Sequence, residues 1–247
     1  MRTVVLIPAR YASSRYPGKP LVKLLGKPMI LWVAELSAKA VGADNVYIAT
    51  EDERIAAVVR QAGYQAVMTS SSALTGTDRL AEAAQQIAAD IYINVQGDEP
   101  LVRPADILRA IEEKKAAPDS VINGFCWLAA DENPQSVNIP KVITNEKNEL
   151  VYMSRNVIPG FKEEKHAPGN YKKQVCIYAF SREELLAFKA FGRKSALEQS
   201  EDIEILRFME LGKKIRMYET QPGSLAVDTP GDVARVEAAL RRAGSGQ

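Results

Sequence analysis

Val4-Val-Leu-Ile-Pro-Ala-Arg-Tyr-Ala-Ser-Ser-Arg-Tyr-Pro-Gly-Lys-Pro-Leu21 decides how the rest of the chain is read. Its first four residues, Val4–Ile7, form a short buried strand, and Pro8 turns that strand into a loop. The loop carries Arg10, Arg15 and Lys19, with Ser13 and Ser14 between them. Three cations placed so closely after a buried strand can gather the oxygens of a triphosphate. Their spacing is not that of a Walker P-loop. A solvated basic loop is the alternative, and the remainder of the chain weighs against it.

Beyond the loop, short apolar strands alternate with amphipathic helices. A helix is expected from Pro28 to about Val41, a strand at 46–50, and a helix capped by Asp52 with Ile55, Val58, Val59 and Ala62 on one face. A short strand at 66–68, a helix through Leu80, Ala83, Ala84 and Ile87, and a strand at 91–95 come next. Such alternation implies a mainly parallel sheet covered on both faces. Ligands then bind at the carboxyl ends of the strands. Both the Arg10 loop and Gln96-Gly-Asp-Glu-Pro100 belong there.

The second half changes character. Residues 141–144 and 150–153 flank Asn145-Glu-Lys-Asn148 as a hairpin. Residues 155–170, rich in Pro, Gly and charge, read as a mobile loop. A strand at 173–180 runs into Ser181-Arg-Glu-Glu184, a capping box. A helix over about 200–210, strands at 215–219 and 225–227, and a final helix opened by Thr229-Pro230 complete the chain. No repeat or interdomain linker interrupts it. The expectation is one domain over 1–247 with an antiparallel insert at about 140–180.

Composition excludes several classes. The chain has 247 residues and a net charge of +1, so it offers no basic field for nucleic acid. Its two cysteines, Cys126 and Cys176, sit in apolar runs and read as reduced core residues. His166 is the single histidine, which argues against a Ser-His-Asp triad or a histidine-rich metal site. No apolar run reaches membrane-spanning length, and a cytoplasmic protein is expected.

Two aspartates carry the chemistry. Asp98 follows an apolar strand through Gln96 and Gly97, and Asp228 ends the run Leu225-Ala-Val-Asp228. Each alone reads more often as a turn former or helix cap. Together, beside phosphate-seeking cations, they point to Mg²⁺ held by carboxylates and substrate oxygens. Thr75-Gly-Thr-Asp-Arg79 is open between two readings. Thr77 or Asp78 caps the following helix, or free backbone N–H groups there meet a base or ribose.

Five runs in this order resemble the successive signatures of the 3-deoxy-manno-octulosonate cytidylyltransferases: 7–21, Gly76-Thr-Asp-Arg79, Asn94-Val-Gln-Gly-Asp-Glu-Pro100, Ile177-Tyr-Ala179 and Val227-Asp-Thr-Pro230. The resemblance spans nearly the whole chain. It implies an α/β, three-layer, Rossmann-like nucleotide-diphospho-sugar transferase fold with a small antiparallel dimerisation insert. It also implies transfer of CMP from CTP to the 2-hydroxyl of a 3-deoxy-2-ulosonic acid, with Mg²⁺ and release of pyrophosphate, for lipopolysaccharide or capsule synthesis by a homodimer. Carried over residue by residue, Pro8, Ala9, Arg10, Ser13, Ser14, Arg15, Lys19, Gly76, Thr77 and Asp78 would bind the nucleotide. Gln96, Arg155, Gln174, Tyr178, Glu201, Glu204 and Arg207 would face the sugar. Asp98 and Asp228 would hold the metal, and together with Arg10 and Lys19 they form the expected catalytic set.

Two positions depart from the family pattern. Gln174 stands where the family usually has histidine, and Ile205 where it has glutamine. Both belong to the acceptor half, so the resemblance carries the nucleotide further than the exact ulosonic acid. A metal-dependent glycosyltransferase is the second enzymatic reading, although a triphosphate suits the cationic loop better than a diphosphate sugar does. A non-catalytic nucleotide sensor is the third, and Lys19, Asp98 and Asp228 argue against it.

Overall fold

Nine strands among the described residues join into one mixed sheet, and a two-stranded ribbon lies apart from it. The coordinates are a computed structural model that describes residues 1–12, 16–223 and 225–244. In chain order the first elements are β1 (Thr3–Ala9), the ribbon β2 (Lys23–Leu24) and β3 (Lys27–Pro28), α1 (Met29–Val41), β4 (Val46–Thr50), α2 (Glu53–Gln61), β5 (Gln65–Met68), α3 (Gly76–Gln86) and β6 (Ile91–Val95). Then come α4 (Pro104–Ala116), β7 (Val121–Trp127), β8 (Lys141–Thr144), β9 (Leu150–Ser154), β10 (Lys172–Phe180), α5 (Arg182–Ala190), α6 (Ala196–Glu201), α7 (Leu206–Glu210), β11 (Ile215–Glu219) and α8 (Asp232–Gly244).

The sheet runs β11-β7-β10-β6-β1-β4-β5. Neighbours are parallel except β10, which is antiparallel to both β6 and β7. Side chains alternate along each strand, so one set faces each layer of helices. Val5, Ile7, Ile91, Ile93 and Val95 pack with Ile30 and Val33 of α1, Ile55 of α2 and Ile107 of α4. Val4, Leu6 and Tyr92 pack with Leu80 of α3, Leu185 and Phe188 of α5, and Phe208 of α7. Three layers result, with cores on both faces of the sheet. A smaller cluster of Leu24, Met29, Val227, Val236 and Leu240 seats α8 against the ribbon.

Several sequence expectations need correction. The strand at 173–180 is not part of an antiparallel insert: β10 lies within the main sheet between β6 and β7. Its first residues, Lys172 and Lys173, pair with Trp127 and Cys126 of β7 on one side and with Val142 and Lys141 of the β8–β9 hairpin on the other. The helix expected over 200–210 breaks into α6 and α7, because Asp202 is left-handed with φ 50°. Residues 225–227 form no ladder; the Val227 N–H instead donates to the Asp98 carbonyl at 3.0 Å. The cap of α3 is Thr75, whose hydroxyl accepts from the Asp78 N–H, and not Thr77 or Asp78. The elements α4 and β7 go unread in the sequence. Fully buried Asn123 and Gly124 interrupt the apolar run of β7, and Lys114 occupies a buried position of α4. Among the described residues no helix is long and apolar enough to cross a membrane.

Candidate functional site

Parallel strands deliver their carboxyl ends to one edge, and a cleft of about 640 Å³ opens there. Pro8 and Ala9 end β1 there and Arg10 follows it, and Gln96, Gly97 and Asp98 leave β6 in the same cleft. Gly97 is required at this point. A Cβ on it would lie 2.9 Å from the Pro8 carbonyl oxygen and 3.2 Å from Ile30 Cδ1. Absence of a side chain therefore lets the two strand exits run side by side.

Lys19 starts a one-turn 3₁₀ segment, Lys19–Leu21, after Gly18 at φ 70°. Its ammonium stands between two carboxylates, 2.5 Å from Asp98 Oδ2 and 3.5 Å from Asp228 Oδ1. Those aspartates are 130 positions apart in the chain, yet the Val227–Asp98 backbone bond sets them side by side. The carboxylate that gathers the N–H groups of Asp228 and Thr229 belongs to Asp232, at 3.1 and 2.8 Å. Asp228 keeps its side chain 45% exposed toward the cleft.

The opposite wall is built from Gly76, Arg79, Arg155, Lys194, Asp202 and Glu204. Glu204 accepts from the Gly76 N–H at 3.1 Å, the Thr77 N–H at 2.8 Å and the Thr77 hydroxyl at 2.6 Å. The N–H groups expected to meet a base or ribose are therefore already taken by this carboxylate, which also suits the positive end of α3. Arg155 donates to three carbonyls, those of Glu201 at 2.5 Å, Val137 at 2.8 Å and Asp202 at 3.0 Å. It clamps the end of β9 to the α6–α7 corner while lining the cleft. Beside it, the Lys194 hydrogen bond holds the Asp202 carboxyl below the usual aspartate range.

Other expected site residues stand off the cleft wall. Arg207 is completely buried, forked between Glu198 (2.7 Å) and Asp78 (2.9 Å), with its guanidinium 3.7 Å from the Phe188 ring centre. Asp78 and Thr77 are buried at the start of α3. Glu201 accepts from the Ser154 hydroxyl at 2.6 Å and the Arg155 N–H at 2.8 Å. Gln174 donates to Asn123 Oδ1 at 3.1 Å and to the Tyr178 hydroxyl at 3.0 Å. Burial pushes the Tyr178 phenol well above its ordinary range and the Cys176 thiol up to about 12, so both are neutral. Ser13, Ser14 and Arg15 lie outside the described residues.

Arg79 and Lys194 are among the cleft residues that have no role in the reading of the sequence. Arg79 is buried, pairs with Glu51 at 2.9 Å and donates to the Thr69 hydroxyl at 2.6 Å. Desolvation lowers its pKa, partly offset by Glu51. The signal for it was present, since Arg79 closes the Thr75–Arg79 run. Lys194 gave no such signal, because its run looks like any solvated surface.

Comparison with known proteins gives the family and the fold. A family model described as "Cytidylyltransferase" matches residues 4–215. A 3-deoxy-manno-octulosonate cytidylyltransferase of Geobacter metallireducens is 42% identical, covering 98% of this chain and 99% of its own. One of Escherichia coli is 37% identical, covering 97% and 96%. The solved CMP:2-keto-3-deoxy-manno-octonic acid synthetase complexed with CTP superimposes with a TM-score of 0.90 at 37% identity, over 98% of this chain and 99% of that one. An inositol-1-phosphate CTP transferase from T. maritima shares the fold at a TM-score of 0.70 and 13% identity, over 98% and 95%.

Proposed function

This chain belongs to the 3-deoxy-manno-octulosonate cytidylyltransferases, and from that premise we propose how its residues carry out the reaction. The enzyme transfers CMP from CTP to the 2-hydroxyl of 3-deoxy-manno-octulosonate and releases pyrophosphate. One observation carries the assignment of roles: the Lys19 ammonium lies between Asp98 and Asp228, at 2.5 and 3.5 Å, in the cleft that Arg10 also lines.

A cation thus already stands between the two carboxylates, and the donor set is made of hard oxygens. Among the described residues no group of three or more potential metal ligands stands together. Magnesium takes one or two carboxylates and completes its shell with water and phosphate oxygens, so the pair fits it. Asp98 and Asp228 would hold the ion, which when bound neutralises phosphate charge and favours ionisation of an oxygen bound to it. Lys19, with Arg10, would draw the triphosphate onto the ends of β1 and β6. Gln96, Arg155 and Glu204 shape the acceptor side. Their task is to bring the sugar hydroxyl in line with the departing pyrophosphate, because orientation supplies much of the rate enhancement in such transfers.

Two copies are proposed to pair through the antiparallel hairpin region. Support for that pairing comes from the exposed apolar side chains Trp127, Val151 and Phe161. Pyrophosphate release from CTP and 3-deoxy-manno-octulosonate, measured with wild type and Lys19→Ala, tests the assignment. Loss of at least about a hundredfold in kcat/KM is expected for removal of a charge-stabilising donor. Undiminished turnover would remove Lys19 from the site. Parallel assays with other ulosonic acids test whether Gln174 and Ile205 alter acceptor choice.

A further inference from the structure

Arg10 and Lys19 face the cleft, yet neither sits within a long regular element. Arg10 follows β1, and Lys19 begins a single 3₁₀ turn. The chain that joins them leaves and returns at one aromatic ring. The Tyr11 N–H donates to Glu51 Oε1 at 3.0 Å, and its carbonyl accepts from the Gly18 N–H at 2.9 Å. Gly18 lies so close to the hydroxyl end of the ring that an added Cβ would sit 3.2 Å from Tyr11 Cζ and Oη, and its φ of 70° is unfavourable for any side chain. The Arg54 guanidinium lies over the ring, 3.4 Å from its centre. Arg54 is in turn gripped by Asp52, the cap of α2, through hydrogen bonds of 2.9 and 2.6 Å.

We propose that Tyr11, held by Arg54 and seated on Gly18, is a positioning residue that sets Arg10 and Lys19 for the nucleotide's triphosphate. This inference rests on the reading of those two cations as phosphate ligands. Tyr11 is bonded to Arg10 and Gly18 to Lys19, so the ring fixes both exits of the segment with one contact. Glu51 extends the link to the cleft wall, since its other oxygen pairs with Arg79. Arg54 is 61% exposed, so its contact with the ring adds little to global stability. Its effect belongs to the fraction of molecules whose cations are correctly placed before CTP arrives.

Steady-state kinetics with CTP and acceptor titrated separately, beside thermal melting, tests the clamp in Arg54→Ala, Tyr11→Ala, Tyr11→Phe and Lys19→Ala. Arg54→Ala is expected to raise the KM for CTP roughly fivefold, the scale of a partly solvated cation–π contact. Tyr11→Ala should raise it further, and Tyr11→Phe, which keeps the ring, should restore it. In Arg54→Ala and Tyr11→Phe the acceptor KM and the melting temperature should stay at wild-type values. A lowered melting temperature with an unchanged KM for CTP would make the contact merely structural and overturn the proposal. Wild-type CTP kinetics in Arg54→Ala beside a defective Lys19→Ala would overturn the clamp alone. Wild-type kinetics in Lys19→Ala would overturn the phosphate reading and the clamp with it.

Discussion

At the residue scale, Asp228 separates chemistry from folding. Its sequence position admits helix capping, but the oxygen that receives the N–H groups of Asp228 and Thr229 is Asp232's. The Asp228 carboxylate points instead toward Lys19, 3.5 Å away, and is 45% exposed. Asp228→Asn is therefore expected to reduce kcat by at least about a hundredfold, as for loss of a charge that organises phosphoryl transfer. Its melting temperature should remain within about 2 °C, because surface substitutions away from packing usually shift stability by under about 0.5 kcal/mol. Pyrophosphate assays and melting curves on one preparation decide the matter, and a large stability loss would return Asp228 to a structural role. Arg207 teaches the opposite lesson. Its charge looks suited to a sugar carboxylate, yet it is fully enclosed by Glu198, Asp78 and Phe188. A lone arginine in a sequence does not disclose whether its partner is a ligand or the protein.

At the scale of elements, Glu201 joins the β9 strand end to the α6–α7 corner. Burial raises its pKa, but the Arg155 N–H and the Ser154 and Tyr152 hydroxyls more than offset that and hold it below the ordinary glutamate range. A carboxyl with a lowered folded-state pKa stabilises the protein above its unfolded value, about 4.3. That contribution fades as pH falls through the lowered folded-state value. Glu201→Gln should therefore be less stable than wild type at neutral pH, and the difference should shrink between about pH 5 and pH 3. Urea unfolding across that range measures it; a constant difference would show that the charge is not responsible. Most of the elements on either side of this corner were legible in sequence, because the apolar runs of β4, β6 and β10 and the 3.6 periodicity of α2 are local. The corner was not. Asp202 adopts φ 50° without the glycine that normally announces such a turn.

At the scale of the whole molecule, a buried ion pair joins the two helical layers at the end of the sheet away from the cleft. Lys114 of α4 donates to both oxygens of Glu184 of α5 at 2.8 and 2.7 Å, and to the carbonyls of Pro118 and Ser120. Both side chains are 5% exposed or less. Burial lowers the Lys114 pKa, with Glu184 opposing that shift. Glu184→Gln leaves the ammonium without its counter-charge, a change that costs about 3–5 kcal/mol when a buried pair is broken. A melting temperature lower by roughly 10 °C is expected for a chain of this size. The CTP KM should be unchanged, because the pair belongs to the far end of the sheet. A shifted KM with unaltered melting would place the pair in the site's machinery instead.

Sequence alone determined the layered α/β architecture, the strand exits at which the cleft opens, and the cations and aspartates gathered there. These arise from apolar spacing along a strand or helix and from residue types whose chemistry is fixed wherever they sit. Only the tertiary structure decided which polar groups face the cleft and which are consumed inside the protein. Arg207 meets Asp78 across 129 positions, and Glu204 meets Thr77 across 127. It alone inserted β10 into the main sheet and set Asp98 beside Asp228 through the Val227 backbone bond. Pairings over such distances depend on how the layers pack, and packing is a property of surfaces that exist only once the chain has folded.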